Sequence, residues 1–251
     1  MFSYMSRDEP ATAIGHLDAD CFYVSAERVR DEFLRGKPVG VLGNQGACVI
    51  AKSYEMKARG VKTGEPIWDA LVKCPDGIYI KRDFRWYETL SRMMLQVVQD
   101  ASRQVEYYSI DEFFFQVEPR RGETFAGLAQ AIRDRIEESV GVPVTVGIAR
   151  TRTLAKLVAD ASKPKGARAI LDRDDVEEML AGLPVTEIAG IAGRRAASLS
   201  AWGITTCLHL ARAERTLVRR LLTASGEVLW WEINGDPVQP IHTRRPAHKT
   251  L

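Results

Sequence analysis

The chain has 251 residues, 45% of them hydrophobic and 27% charged, with a formal net charge of +2. That composition supplies one large core or two smaller ones and excludes a disordered or low-complexity chain. No run approaches membrane-span length, MFSYMSRDEPATAIGH carries acids and a proline where a signal peptide needs an apolar stretch, and Cys21, Cys48, Cys74 and Cys207 form no CxxC pair. The expectation is a soluble cytoplasmic protein with reduced thiols and no membrane partner.

After a short lead-in, ATAIGHLDAD reads as a strand ending in acids, and CFYVSAERVRDEFL continues at helical spacing through Phe22, Val29 and Phe33. GKPVGVL and ACVIAK read as two short strands around the turn residues GNQG, followed by a short helix, SYEMKAR, that stops at Gly60. A helical pattern runs from Phe84 to Gln104 through Tyr87, Leu90 and Met94. A strand pair then turns near Asp111 and Glu112, a helix covers Thr124 to Val140, and VPVTVGIA is a strong strand. With residues 29–77 set aside as an insertion, the order is β, α, β, β, α, β. That is the α+β, ferredoxin-like arrangement of an antiparallel sheet with two helices on one face.

An adjacent Asp-Glu in a hairpin turn is by itself ordinary turn chemistry. In this fold, however, the first and third strands are neighbours, so Asp18 and Asp20 of DAD meet Asp111 and Glu112 at one sheet edge. Like charges brought together repel unless a cation neutralises them, and carboxylates on a rigid sheet make a hard-oxygen site suited to Mg²⁺.

The second half of the chain carries two basic segments, each with six Lys or Arg against one acid: residues 150–168 and 190–220. Both favour a polyanionic partner over a mixed solvated face. The first contains a helix from Thr153 to about Ser162 and the loop Lys163-Pro164-Lys165-Gly166, which is either a basic turn or a seat for polyphosphate. In the second, Gly190, Ile191, Ala192 and Gly193, then Ala196 and Leu199, approximate a helix-hairpin-helix. Its turn offers backbone N–H groups to a phosphate, with an ordinary helical hairpin as the bland alternative. The tail NGDPVQPIHTRRPAHKTL lacks a core pattern and reads as a linker.

HLDADCFYVSAE, GKPVGVLGNQGACVIAKSYEMKARGVKTGEP, YYSIDEFF, VTVGIARTRTLAKLVADASKPKG and the hairpin segment together resemble, in order, the motifs of the Y-family translesion DNA polymerases of the DinB/UmuC type. The motifs are divided between the two branches, and the branch stays open. The resemblance implies a palm at 1–28 and 78–172, fingers at 29–77 and a thumb at 173–235. It also implies a linker at 236–251 toward a little-finger domain that the sequence does not contain, in a fragment or a natural short form.

The activity implied is template-directed, low-fidelity nucleotidyl transfer in DNA damage tolerance, with primer-template DNA and a dNTP as partners. Two Mg²⁺ ions roughly 3.5–4 Å apart, replaceable by Mn²⁺, would be held by Asp18, Asp111, Glu112 and the carbonyl of Ala19. Asp20 would play a supporting role. Tyr23, beside Phe22, takes the steric-gate position against a ribose 2′-hydroxyl. Tyr54 and Lys57, a position commonly Arg in the family, contact the β- and γ-phosphates with Lys163. Small residues around Ala51 roof the nascent base pair, and Gly190, Ala192, Gly193 and Arg194 meet the DNA backbone. A sliding clamp would bind beyond residue 251, and a nucleoid-associated location would follow. The competing readings are a catalytically weak or idle DNA-binding paralogue and a nucleotidyl cyclase on a similar sheet, which would need no basic thumb.

Overall fold

The strong periodicities resolve into elements whose ends carry identifiable caps in the computed structural model, which describes residues 10–243. β1 (Ala13–Ala19) leads through Cys21 into α1 (Phe22–Arg30). A small unit follows: β2 (Val39–Leu42), β3 (Val49–Lys52), α2 (Tyr54–Ala58), α3 (Ile67–Lys73) and β4 (Ile78–Lys81). α4 (Phe84–Ala101) starts where the Asp83 side chain accepts the Trp86 N–H, and β5 (Val105–Tyr107) and β6 (Glu112–Val117) form the next hairpin. α5 (Phe125–Val140) is capped by Thr124 and ended by left-handed Gly141. β7 (Val144–Ala149) then leads to α6 (Arg152–Ala161), capped by Thr151, and β8 (Ala167–Ile170). The C-terminal part is helical: α7 (Arg173–Gly182), α8 (Arg194–Ser200), α9 (Cys207–Arg212) and α10 (Arg215–Ile233). Among the described residues no helix is long and apolar enough to cross a membrane.

The main sheet has the order β5-β6-β1-β7-β8. Its first four strands realise the expected β, β, β, β ladder, antiparallel throughout, and β8 adds a fifth strand parallel to β7. Side chains alternate across the sheet. Leu17, Phe113, Phe115, Val144, Val146 and Ile148 face the core shared with α4 and α5. His16, Asp18, Glu112, Phe114 and Thr145 therefore lie on the other face, where α6 packs. That packing rests on Gly147, because a Cβ there would lie 2.4 Å from the Ala159 nitrogen and 2.5 Å from the Ala155 carbonyl oxygen of α6. The expected pair of helices on one face is thus joined by a third on the opposite face.

Four features add to or differ from the sequence reading. Ile78–Lys81, which was not read as a strand, pairs in parallel with β2 in the small sheet of order β3-β2-β4. α3 was not foreseen, because Trp68, Leu71 and Val72 are exposed and only Ala70 on it is buried. Before Gly190 there is only a 3₁₀ turn, Val185–Glu187, because Pro184 and Gly190 leave room for a single turn, so the hairpin has one helix, α8, instead of two.

The described part of the tail is also bonded to the rest of the fold. Arg152 Nη1 donates to the Pro240 carbonyl at 2.7 Å, and the Gln239 and His242 N–H groups donate to Glu232 and Glu106 at 2.9 and 2.7 Å. The rest of the lead-in (1–9) and of the tail (244–251) lies outside the described residues.

Candidate active site

At the end of β1, Asp18 stands directly opposite Glu112 of β6 in the strand register. The Ala19 N–H donates to the Asp111 carbonyl at 3.0 Å, which clips the β5–β6 turn to the same strand end. Within that turn the N–H groups of Tyr108 and Ser109 both reach the Glu112 carbonyl at 3.1 Å, and the Ser109 hydroxyl donates to Asp111 Oδ1 at 2.7 Å. Three carboxylates from two distant segments are therefore fixed by backbone pairing. Ser109, which has no feature in the sequence beyond its place in a turn, orients one of them.

Two lysines from the α6 side meet these acids. Lys163 Nζ is 2.8 Å from Asp18 Oδ2, and Lys156 Nζ is bonded to Glu112 Oε1. Burial pushes the Asp18 carboxyl up to about 7 against the opposing pull of Lys163. Burial also works to raise Glu112, but His16 and Lys156 outweigh it and hold Glu112 below the usual carboxylate range. His16 itself is fully buried against Phe114, 3.5 Å from Glu112, and burial lowers its pKa toward the neutral imidazole. The positive charge facing Glu112 is accordingly that of Lys156.

Asp20 turns away from the other acids. Thr145 Oγ1 donates to both its oxygens at 3.2 Å, the Lys165 N–H donates at 2.7 Å and the Tyr54 hydroxyl at 3.4 Å. It ties the loop that carries Lys163 to the strand end.

The acids form one wall of an open cleft of about 530 Å³. Asp18, Ala19, Asp111, Glu112, Phe22, Tyr23, Tyr54, Lys57 and Lys163, each singled out in the sequence, all line it, as do Ile50 and Ala51. Lys52 lines it as well, its Nζ donating to Thr63 Oγ1 at 2.7 Å. It was missed because one lysine at the end of a short strand has no sequence signature. Tyr23 is held as a rigid wall: its ring stacks on buried Tyr87 at 4.6 Å, and the Tyr87 hydroxyl donates to Glu27 at 2.6 Å. Gly190, Ala192, Gly193 and Arg194 are not brought to the cleft; they form an exposed tip on the helical C-terminal part.

Among the described residues no three His, Cys, Asp or Glu side chains already converge on one point as a metal cluster. The donors along the cleft wall are nevertheless all hard oxygens, three carboxylates and a backbone carbonyl, and two of the carboxylates are paired with lysine ammonium groups. That donor set fits a hard divalent cation such as Mg²⁺.

The model of the impB/mucB/samB family matches residues 17–160, more than half of the chain. The chain belongs to that family. Among curated members, DNA polymerase IV 1 of Bacillus subtilis is 36% identical over 236 residues, which cover 92% of this chain and 57% of that protein. The chain spans a little over half the length of the curated relatives it matches. Among solved structures of the family, a Y-family DNA polymerase chimera superposes with a TM-score of 0.84 at 27% identity, over 93% of this chain and 70% of that one. An insertion ternary complex of Dbh DNA polymerase gives 0.81 at 28% identity, over 91% and 69%. The impB/mucB/samB member described here is thus a Y-family chain of the DinB type, the branch that its motifs had left open.

Proposed function

We propose that this chain carries the catalytic core of a template-directed DNA polymerase that adds dNTPs to a primer and works on damaged templates. The observation that carries the reading is a cleft lined by carboxylates, by Tyr23 stacked on Tyr87, and by Tyr54, Lys57, Lys52 and Lys163. In this reading the five-stranded sheet with α4, α5 and α6 is the palm, the β3-β2-β4 unit the fingers and α7–α10 the thumb.

Asp18, Asp111, Glu112 and the Ala19 carbonyl would hold the divalent ions, two Mg²⁺ or Mn²⁺. When bound, such ions supply Lewis-acid activation of a hydroxyl and charge neutralisation on a triphosphate. The chain's own residues do the rest. Tyr54, Lys57 and Lys163 would receive the β- and γ-phosphates. Lys57 would act as a point charge where an arginine would grip with a fork, which weakens phosphate binding. The Tyr23 ring, backed by Tyr87, would leave no room for a 2′-hydroxyl. Ile50 and Ala51 would roof the base pair loosely enough to accept distorted template bases, which lowers fidelity. Gly190, Ala192, Gly193 and Arg194 would meet the duplex backbone without reading bases.

The test is primer extension by the purified chain with primer-template, dNTPs and Mg²⁺, repeated with a lesion in the template. Extension is expected, and Asp111→Asn should reduce it at least about 100-fold with an unchanged circular dichroism spectrum. Absence of any incorporation at high enzyme concentration, with DNA binding retained, would instead favour the idle DNA-binding paralogue.

A further inference from the structure

The α6 face of the sheet carries a carboxylate to which the mechanism assigns nothing. Asp160 sits one helical turn after Lys156 and three residues before Lys163. Its Oδ1 is 3.2 Å from Lys163 Nζ and its Oδ2 is 3.8 Å from Lys156 Nζ. Each lysine thus stands between two acids: Lys163 between Asp18 and Asp160, Lys156 between Glu112 and Asp160. A lysine–aspartate pair at this spacing on a helix is usually a solvated surface pair worth a few tenths of a kcal/mol. Here all three side chains are only 22–28% exposed, and the lysines' closer partners are the cleft carboxylates. For Lys156 the shortfall to a full charge-assisted bond with Asp160 is about 1 Å, which a lysine stem covers by rotamer adjustment.

We propose that Lys156 and Lys163 are exchangeable counter-ions of the cleft acids, and that Asp160 is the positioning residue that receives them when a divalent cation takes Asp18 and Glu112. The inference rests on the metal-binding reading above. Without a second anion, each ammonium group would have to be pushed into solvent or left facing the cation. With Asp160 in place both lysines stay paired through the exchange, and Lys163 remains at the cleft edge to meet a phosphate.

The signs of two substitutions follow. Removing Lys156 removes a competitor, so Lys156→Met should tighten Mn²⁺ binding to the free protein by about 3- to 10-fold, the size of one unit charge in a partly buried site. Asp160→Asn should weaken it by a similar factor. A simple field effect would make the two changes multiply independently. Exchange predicts instead that Asp160→Asn weakens Mn²⁺ binding less in the Lys156→Met background than alone.

The experiment is a Mn²⁺ titration followed by electron paramagnetic resonance, on the full chain and the two single variants, the double variant and Asp111→Asn, each checked by circular dichroism. Lys156→Gln replaces the Met variant if that variant does not fold, with the same expected sign. Opposite shifts with sub-additive coupling support the proposal. If Asp111→Asn abolishes Mn²⁺ binding but the Lys156 and Asp160 changes leave it untouched, move it in the same direction or combine independently, the exchange is overturned and the metal site stands. If the unmutated chain binds no Mn²⁺ that depends on Asp111, the metal reading falls and the exchange falls with it.

Discussion

Gly147→Ala puts one methyl group between β7 and α6. A Cβ at this position would lie 2.4 Å from the Ala159 nitrogen, 2.5 Å from the Ala155 oxygen and 2.9 Å from the Ala159 Cα. All three are backbone atoms of a helix, so no rotamer change relieves the clash, and α6 must retreat by roughly 1 Å to reach ordinary contact distance. Overpacking of this kind costs about 1–3 kcal/mol. At about 2–4 °C per kcal/mol for a chain of this size, Tm should fall by about 2–12 °C.

The retreat also carries Lys156, Asp160 and the loop bearing Lys163 away from the carboxylates, and a misplacement of about 1 Å near a reacting centre can cost about 100-fold in rate. Differential scanning fluorimetry and primer extension, both read well below the lower Tm, separate the two effects. Gly182→Ala is the control, since nothing lies within 4 Å of a Cβ there, and it should leave Tm equal or slightly higher. A Gly147→Ala chain that melts within 1 °C of the parent and extends primers at the parental rate would refute the claim that close sheet–helix approach positions this site.

Tyr23→Ala should admit ribonucleotides, lowering the dNTP-over-rNTP preference by roughly 100-fold in single-nucleotide incorporation, and unchanged sugar discrimination would remove Tyr23 from the gate position. Asp20→Asn should raise KM for the dNTP by roughly 5- to 10-fold while the melting temperature moves little, because an amide cannot accept from Thr145, the Lys165 N–H and Tyr54 together. Glu232 is buried, accepts the Thr153 and Gln239 N–H groups, and burial raises its carboxyl above the ordinary 4.5. Its folded-state preference for the proton stabilises the fold fully below pH about 4.5, and that contribution is lost as pH rises through the raised folded value. The Tm difference between Glu232→Gln and the parent should therefore move in favour of the variant between pH 5 and pH 8, and a difference that is flat or moves the other way contradicts the assignment.

The sheet and its acids were legible because their signals are local and strong. Alternation in β1 and β6 and the helical period of α4 and α5 follow from which residues are buried, and β-α-β-β-α-β connectivity then makes β1 and β6 neighbours. Partner choice was less legible. Ile78–Lys81 carries too short a pattern to be read as a strand, and nothing in its three half-buried residues and exposed Lys81 states which of two sheets it joins. The tail bonds through the Pro240 carbonyl and the Gln239 and His242 N–H groups, which every sequence possesses. Nothing in the sequence marks Lys156 and Asp160 as neighbours of the acids; the close approach at Gly147 brings α6 down onto the acidic face.

The opposition of Asp18 and Glu112 across the β1–β6 ladder has a consequence for misfolding. A slip of one residue between these strands would break the alignment of the two carboxylates, and if β6 turned over to follow it, Glu112 and Phe114 would point into the core while Phe113 and Phe115 faced the cleft. A chain misregistered here would therefore lose the opposition of Asp18 and Glu112 and its apolar core in the same event. In the proposed metal-binding reading, a misaligned molecule would hold no divalent ion at this strand end.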